Sequence, residues 1–500
     1  MGEQEDYKTF IERSQNYINV FDPTTKFMRG RFRNTWFAPF DPYEVNFNYT
    51  EANSWQYSFY VPQDITGFMN LLGGKDQLEK QLDNLFTAND KTSGREQADI
   101  TGLIGQYAHG NEPSHHMAYL YNFVNKPYKT QEKTRQILTE LYTNSPDGIS
   151  GNEDCGQMSA WYIFSSLGFY PVTPGSNQYI IGSPLFDKAT IHLEDGKSFT
   201  VKAKNNSLKN KYIKNVRLNN KAYPYSYIKH TDIVHGGDLV FEMTDRPTNW
   251  GTSDDFIPST EIKDHKIIPA PFIKKGDIVF KGSTLVELAC VEIDADIFFR
   301  LGHKGGFKKY TEPFTVDEFI NLSVYAQRGN KKSAVISTDF YKKDPNLKIQ
   351  LYTEYENQYN AGGNDALIDG ILGTEDFRTG TWQGYSDTDV HAIVDLGKVK
   401  QINNVKLSFL RDQRSWIFLP KDLKIATSSD GVNFKKYKDW KFKPPTNTDD
   451  IKIETMDFSK STKARYIKVL AKNYGDVPKW HIGAPFDGKA WIFVDEIQIK

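Results

Sequence analysis

The hydrophobic pattern of this 500-residue chain changes its period once, near Pro174, and that change limits what the chain can fold into. Before it, apolar residues recur at helical spacing: Tyr7, Phe10, Ile11, Ile18 and Phe21 on one face, and Leu78, Leu82, Leu85 and Phe86 on another. Ile137, Leu138, Leu141 and Tyr142 line one side of residues 134–142, and residues 154–167 read as a further helix with Gly168 as its stop. Six or seven helices are expected here, joined by loops rich in Gly, Asn and Pro. After Pro174 the period becomes two: Ile191 and Leu193 alternate with polar neighbours, Asp195-Gly196 marks a hairpin turn, and Asn219-Asn220 marks another. A polar stretch over residues 252–271 then precedes a second strand-rich block. A third block starts near Glu354, with turns at Gly362-Gly363 and Asp430-Gly431. The expected domains are 1–174, 175–251, 252–350 and 355–500.

Charge narrows the partners. With 62 Lys+Arg against 63 Asp+Glu, there is no basic surplus to neutralise a nucleic-acid backbone or an anionic membrane. Two cysteines, Cys155 and Cys290, exclude a disulfide framework and a thiolate zinc site. No apolar run approaches the roughly 18–20 residues of a membrane span, and residues 1–9 are too polar for a signal peptide. Aromatics at 14% suit sugar stacking and sandwich cores alike.

Three loop motifs in the helical part concentrate reactive side chains. In Tyr49-Thr50-Glu51-Ala52-Asn53-Ser54-Trp55-Gln56-Tyr57 a single carboxylate stands among aromatics. Rings that desolvate it raise its pKa and suit it to general-acid work; the alternative is an acid in a first helical turn, favoured by the dipole. In His109-Gly110-Asn111-Glu112-Pro113-Ser114-His115-His116 the Asn-Glu pair supplies hard oxygen ligands for calcium. The histidines suggest zinc instead, although His115 and His116 are consecutive and share no helical face; a plain helix entry before Pro113 is the third reading. In Gly151-Asn152-Glu153-Asp154-Cys155-Gly156-Gln157 the residue Asp154 reads either as a helix N-cap or, with Glu51, as one of the two carboxyl groups of a glycosidase.

The order of these motifs, with Phe40-Asp41-Pro42, Leu72-Gly73-Gly74 and the run from Ser159-Ala160-Trp161 to Gly168-Phe169-Tyr170-Pro171, closely resembles glycoside hydrolase family 92 over residues 7–248. The resemblance implies a calcium-dependent, inverting exo-α-mannosidase built on an (α/α)6 toroid. It implies Glu51 as general acid and Asp154 as base, with Asn152 beside it. Asn111 and Glu112 would lie at calcium, and Trp55, His109, Gly110, His115, His116 and Trp161 in the sugar pocket. Family members specific for α-1,2 linkages tend to carry His-Glu-Asn-Glu where this chain has His109-Gly110-Asn111-Glu112, so an α-1,2 preference is not expected. The helices counted are about half a toroid, so the expected fold is a partial (α/α)6 toroid followed by β-sandwich domains, and the chain is expected to be a piece of a longer one. The complete protein is expected in the periplasm or at the cell surface.

Residues 252–345 resemble chitobiase-like C-terminal sandwiches in outline. Residues 355–500 resemble a discoidin, or F5/8 type C, jelly roll classed with carbohydrate-binding module family 32, through Ala366-Leu367-Ile368-Asp369-Gly370, Trp382-Gln383-Gly384, Val394-Asp395-Leu396-Gly397, the run from Ile425 to Gly431, and Phe493-Val494-Asp495-Glu496-Ile497. That resemblance implies a structural calcium at Asp369, Thr374 and Glu496. Asp369 in a capped turn and Glu496 at an exposed strand end are the plainer readings. A sugar loop is expected at Arg411, Arg414 and Trp416, or else Trp416 merely packs on its own loop. Mannose-containing glycans are the expected partners of an enzyme; the alternative is a catalytically incomplete chain that only binds carbohydrate. A phosphorylase on a similar toroid would need a phosphate site in place of the second carboxylate.

Overall fold

The computed structural model describes residues 2–486 and 488–500. It resolves into two compact units, Met1–Gly30 with Phe37–Pro269, and Arg31–Trp36 with Ala270–Lys500.

In the first unit the helices are α1 (Gln4–Arg13), α2 (Ser54–Tyr57), α3 (Ile65–Leu72), α4 (Lys75–Thr87), α5 (Pro127–Glu140) and α6 (Gln157–Leu167), with a short seventh, α7 (His230–Val234), inside the β domain. The face read from the sequence of α4 is its buried face: Leu78, Leu82 and Leu85 are fully enclosed and Phe86 nearly so. Each such side chain contributes about 1.5–3 kcal/mol over its exposed state. The face expected along residues 7–21 is broken instead. Helix α1 ends at Arg13, a 3-10 turn spans Asn16–Val20, and Phe21 lies on a short strand. Only Phe21 of that series reaches the core, while Phe10 remains 62% exposed. Met117–Val124, apolar but for Asn122 and therefore without a readable face, is a wholly buried run of 3-10 turns, and the Asn122 amide donates to Ile181 O and Ser226 O.

The polar stretch after the first β domain is not a loose connector, because its residues up to Pro269 close the start of α3. The first backbone N–H groups of a helix have no partner within it. Here Ile65 N–H donates to Thr260 Oγ1 (3.0 Å), Thr66 N–H to Thr260 O (3.0 Å), and Gly67 N–H to Asp64 Oδ1 (3.1 Å). The same Asp64 Oδ1 accepts from Ile262 N–H at 3.1 Å, and Oδ2 accepts from Tyr17 Oη at 2.9 Å. Gln15 adds a second tie, donating to His265 O and accepting from Ile267 N–H. Gly73, at φ 112°, ends α3 in the left-handed conformation.

Beyond α6 the alternation of period two becomes sheet. A five-stranded sheet runs Lys188–His192, Ser198–Lys204, Gly237–Thr244, Tyr212–Leu218, Lys221–Ala222, with the second and third strands parallel. Asn219 and Asn220 turn the last hairpin at φ 50° and 65°, the pair of positive angles such a turn requires. Phe199, Val201, Leu239 and Phe241 form its core.

The second unit holds a hairpin, Arg31–Phe32 with Thr35–Trp36, far in sequence from the rest. Ile273 N–H donates to Asn34 O at 3.0 Å, Thr338 Oγ1 to Arg33 O at 3.3 Å, and Trp36 lies 5.0 Å from Phe272. A small strand-rich block follows, centred on Val286, Leu322, Val324 and Phe340. The C-terminal jelly roll is organised by two long strands, Val390–Arg411 and Lys452–Lys472, which pair along their length with two register shifts. Both lie in one seven-stranded sheet, and the bulges bend it around a core of Val394, Leu407, Phe409, Ile467 and Val469.

Replacing Asp64 by Ala removes the cap of α3 and strands the Ile262 N–H. The expected cost is about 2–4 kcal/mol, a cap plus one buried unsatisfied donor. Denaturant unfolding measures it, and a loss below about 0.5 kcal/mol would show that the strap is held by something else.

Candidate functional site

The three polar loops meet over a buried hydrogen-bond chain whose direction can be followed atom by atom. Tyr142 Oη donates to Met158 O (3.1 Å), so it accepts from His109 Nε2–H (2.7 Å), and His109 Nδ1 accepts from Tyr107 Oη (2.8 Å). A second branch starts at His115, whose Nε2–H donates to His109 O (2.9 Å). Its Nδ1 is thereby an acceptor for Gln157 Nε2 (3.2 Å), which also donates to Tyr170 Oη (3.1 Å). Trp161 Nε1 donates to His115 O at 2.9 Å, its indole 4.5 Å edge-to-face from the His109 ring. His116 Nε2–H donates to Phe59 O at 2.7 Å.

Burial holds these rings neutral. It pushes His109 well below the usual histidine range, a direction the nearby His115 reinforces, and brings His115 and His116 down to about 4. With both ring nitrogens of His109 and His115 engaged and His116 tied to Phe59, the zinc reading fails. His109, His115, His116 and Trp161 are all buried and form the floor beneath the loops. Trp55 is buried too, edge-on to Phe27 at 4.7 Å.

On that floor the first loop ends in a capping box. Gln56 N–H donates to Asn53 Oδ1 and Asn53 N–H to Gln56 Oε1, both at 3.2 Å, so α2 starts at Ser54. Glu51 therefore lies before the helix, not in its first turn. It is exposed rather than shielded by the rings around it, with φ 56°. In the third loop the cap of α6 is Gly156, so Asp154 is no N-cap. Asp154, Cys155 and Gly156 are consecutive residues at φ 47°, 56° and 91°. A non-glycine residue in that region costs on the order of 1–3 kcal/mol, which the ties of Gln157 and Trp161 to the floor offset. Asn152 is exposed, its Nδ2 at 3.5 Å from Asp99 Oδ1.

The second loop joins the other two. Asn111 Nδ2 donates to Glu51 O at 3.2 Å. Burial raises the Glu112 carboxyl above its usual range; hydrogen bonding to Asp154 and the charges of Asp154 and Glu51 raise it further. The Glu112 carboxyl is thus within electrostatic reach of Asp154 and Glu51, one residue from each of the three loops. Two of those three residues carry left-handed backbones. Gly110 closes the site from behind, since a Cβ there would run into Thr101 Oγ1. Among the described residues no three His, Cys, Asp or Glu side chains stand close enough to form a metal cluster by themselves. A dication here would draw on Glu112, the Asn111 amide and backbone oxygen. These are hard donors, and the raised Glu112 carboxyl is a group that positive charge would stabilise.

In the jelly roll, Asp369 caps its own turn, its Oδ1 accepting from Ile371 N–H at 2.8 Å, and it is buried; Glu496 is buried too rather than at an exposed strand end. Burial pushes their carboxyls up to about 7 and about 8. Asp369 N–H donates to Glu496 Oε2 at 3.0 Å, and buried Asp495, not singled out in the sequence, accepts from Gly373 N–H at 2.9 Å. Two neighbouring buried carboxyls fit a hard cation. Thr374 Oγ1 is bonded to Asp376 O and Thr379 Oγ1. Of the expected sugar loop, Arg414 is exposed in a two-bond pair with Asp449 (2.8 and 2.6 Å), and Arg411 is half-buried with Nε unpartnered. Trp416 packs edge-on against His481 at 5.6 Å, in another loop. A pocket of about 230 Å³ lies between Arg414, Thr448, Asp449, Trp480 and His481. Trp480, 39% exposed, is the aromatic surface that the sequence reading missed; the Val477-Pro478 turn just before it was the available signal.

Residues 1–245 match the family described as the glycosyl hydrolase family 92 catalytic domain, and residues 350–485 match the F5/8 type C domain. An uncharacterized secreted glycosidase of Arthroderma benhamiae is 28% identical over 284 residues, covering 51% of this chain and 35% of the relative. A family 92 alpha-mannosidase of Bacteroides thetaiotaomicron in complex with mannoimidazole is 41% identical, covering 53% of this chain and 37% of that one, with a TM-score of 0.49. A family 92 inverting mannosidase of the same species is 35% identical, covering 52% and 37%, with a TM-score of 0.47. The chain spans little more than a third of the length of these relatives. Among the described residues no helix is long and apolar enough to cross a membrane.

Because His115 and His116 bind protons more weakly folded than unfolded, the unfolded chain takes up more protons between about pH 6.5 and 4. Their contribution is complete above about pH 6.5 and is lost as pH falls to 4, up to about 3 kcal/mol for each ring. Thermal melts across that window should show the decline, and His116→Asn, which keeps a donor for Phe59 O, should flatten it. A melting temperature that does not move between pH 7 and 4.5 would contradict this.

Proposed function

We propose that the helical unit hydrolyses terminal α-mannosidic linkages of N-glycans or mannans, with inversion at the anomeric carbon. The observation that carries this reading is the convergence of Glu51, Glu112 and Asp154 from three loops of a region matching glycosyl hydrolase family 92. Glu51, exposed before α2, delivers a proton to the departing glycosidic oxygen. Asp154 takes a proton from the water that attacks the opposite face of the sugar, which calls for about 6.5–9.5 Å between the two carboxyls. Asn152 lies beside it in the same loop, and Asn111, donating to Glu51 O, holds the first and second loops together. Calcium held by Glu112 and Asn111 would supply charge to bind and polarise the sugar hydroxyls. The neutral rings below keep the three loops in place without adding charge of their own. Gly110, tight against Thr101, leaves no room for a side chain, in keeping with a linkage other than α-1,2.

The jelly roll would hold the enzyme on glycan through the pocket at Arg414 and Trp480, with a structural calcium at Asp369 and Glu496. A periplasmic or extracellular setting accords with the relative described as secreted. A second reading, glycan binding without catalysis, is favoured by the same loop pocket between Arg414 and Trp480.

Hydrolysis of a mannoside with an activated leaving group, measured with and without chelator, separates the two. Under the first reading Glu51→Gln lowers kcat by 100-fold or more for natural linkages and less for the activated one, because the activated leaving group needs little protonation. Chelator abolishes turnover and added calcium restores it. No turnover by the parent chain at any calcium concentration leaves only the binding reading. Independently, calcium should raise the melting temperature of the parent chain by several degrees, and Glu496→Gln should reduce that rise.

A further inference from the structure

A groove in the second unit lies away from the loop pocket of the jelly roll. It runs along the outer edge of the strand Lys348–Leu351 and the turn that follows, encloses about 640 Å³, and is lined by Ile349, Gln350, Leu351, Tyr352, Thr353, Glu354, Tyr355, Asn357 and Asn364. That volume falls within the range of about 300–1,000 Å³ typical of small-molecule sites. We infer that this groove is a second carbohydrate-binding site, specific for neutral sugars and separate from the pocket at Arg414 and Trp480.

Its chemistry is that of a sugar site. Tyr352 stacks on the His391 imidazole at 4.7 Å and 24°, its N–H bonded to His391 O (2.8 Å), while His391 N–H donates to Thr353 Oγ1 (3.1 Å). The ring is thus fixed, yet Tyr352 is 51% exposed, so a pyranose can stack on it without first ordering it. Around it stand planar polar groups that match sugar hydroxyls: Gln350, Glu354 and Asn364 are all exposed. Tyr355 Oη donates to Asn364 Oδ1 at 3.0 Å, which turns that amide's NH2 group away from Tyr355 as a donor. No lysine or arginine lines the groove, and its one charged group is the carboxylate of Glu354. An anionic ligand such as a sulfated or sialylated sugar would meet repulsion and no cation. A peptide adding a strand is disfavoured by the length of the edge, because Lys348–Leu351 offers four residues and its inner side is taken by Ala392–Asp395.

The test uses the full chain on an immobilised panel of neutral oligosaccharides with mannose, galactose, glucose or N-acetylglucosamine termini, beside sialylated and sulfated controls. Trp480→Ala weakens the loop pocket and isolates what remains. The expected result is residual binding to at least one neutral glycan, reduced tenfold or more when Tyr352→Ala is added and unaffected by the anionic controls. Amide hydrogen exchange with the bound glycan should show protection over residues 349–357, a readout that holds even if a variant is unstable. Absence of residual binding, residual binding indifferent to Tyr352→Ala, or protection of residues 348–351 by an unstructured peptide library and by no glycan would each overturn the inference. Binding to the galactose, glucose and N-acetylglucosamine termini is the deciding readout, because it does not depend on whether the helical unit binds or hydrolyses mannosides.

Discussion

The candidate catalytic site rests on a single buried chain of hydrogen bonds, from Tyr107 through His109 and Tyr142 to the backbone at Met158, and from His109 through His115 and Gln157 to Tyr170. It is strong because each donor has an acceptor and every ring is neutral, so nothing charged is buried to make it. It ties the second loop to the start of α6, which follows the third loop. The left-handed residues 154–156 persist because the chain is held on the far side by Gln157 and Trp161.

Above this floor the electrostatics reverse. Glu51 and Asp154 stand in the open while Glu112 is partly enclosed between them. Burial raises the Glu112 carboxyl, and the nearby charges of Asp154 and Glu51 raise it further. A neutral base layer under an acid-rich surface separates the work of holding the loops from the work of handling protons. In the jelly roll the buried carboxyls of Asp369 and Glu496 accept from the backbone N–H groups of Ile371 and Asp369.

Helix α3 shows how far apart in sequence the determinants of one short element lie. Its cap residue Asp64 is adjacent, but the other acceptors for its free N–H groups come from Thr260, nearly 200 residues later. The hairpin Arg31–Trp36 is a similar case: a short segment between helices that belongs to the unit built by residues 270–500. Neither is marked by composition or period, because both depend on backbone hydrogen bonds between distant segments.

By itself the sequence determined the change from helix to sheet near Pro174, the buried face of α4, the hairpins at Asp195-Gly196 and Asn219-Asn220, and the three loops that carry Glu51, Glu112 and Asp154. All of these are local: a period, a pair of residues tolerant of positive φ, a cluster of side chains. Tertiary structure alone decided that α1 leaves its apolar side exposed, that His109, His115 and Trp161 lie beneath the site, that Asp154 is no helix cap, and that Trp480 rather than Trp416 faces a pocket. Burial and hydrogen-bond partners are properties of what arrives from elsewhere in the chain, and a residue's immediate neighbours in sequence do not record them.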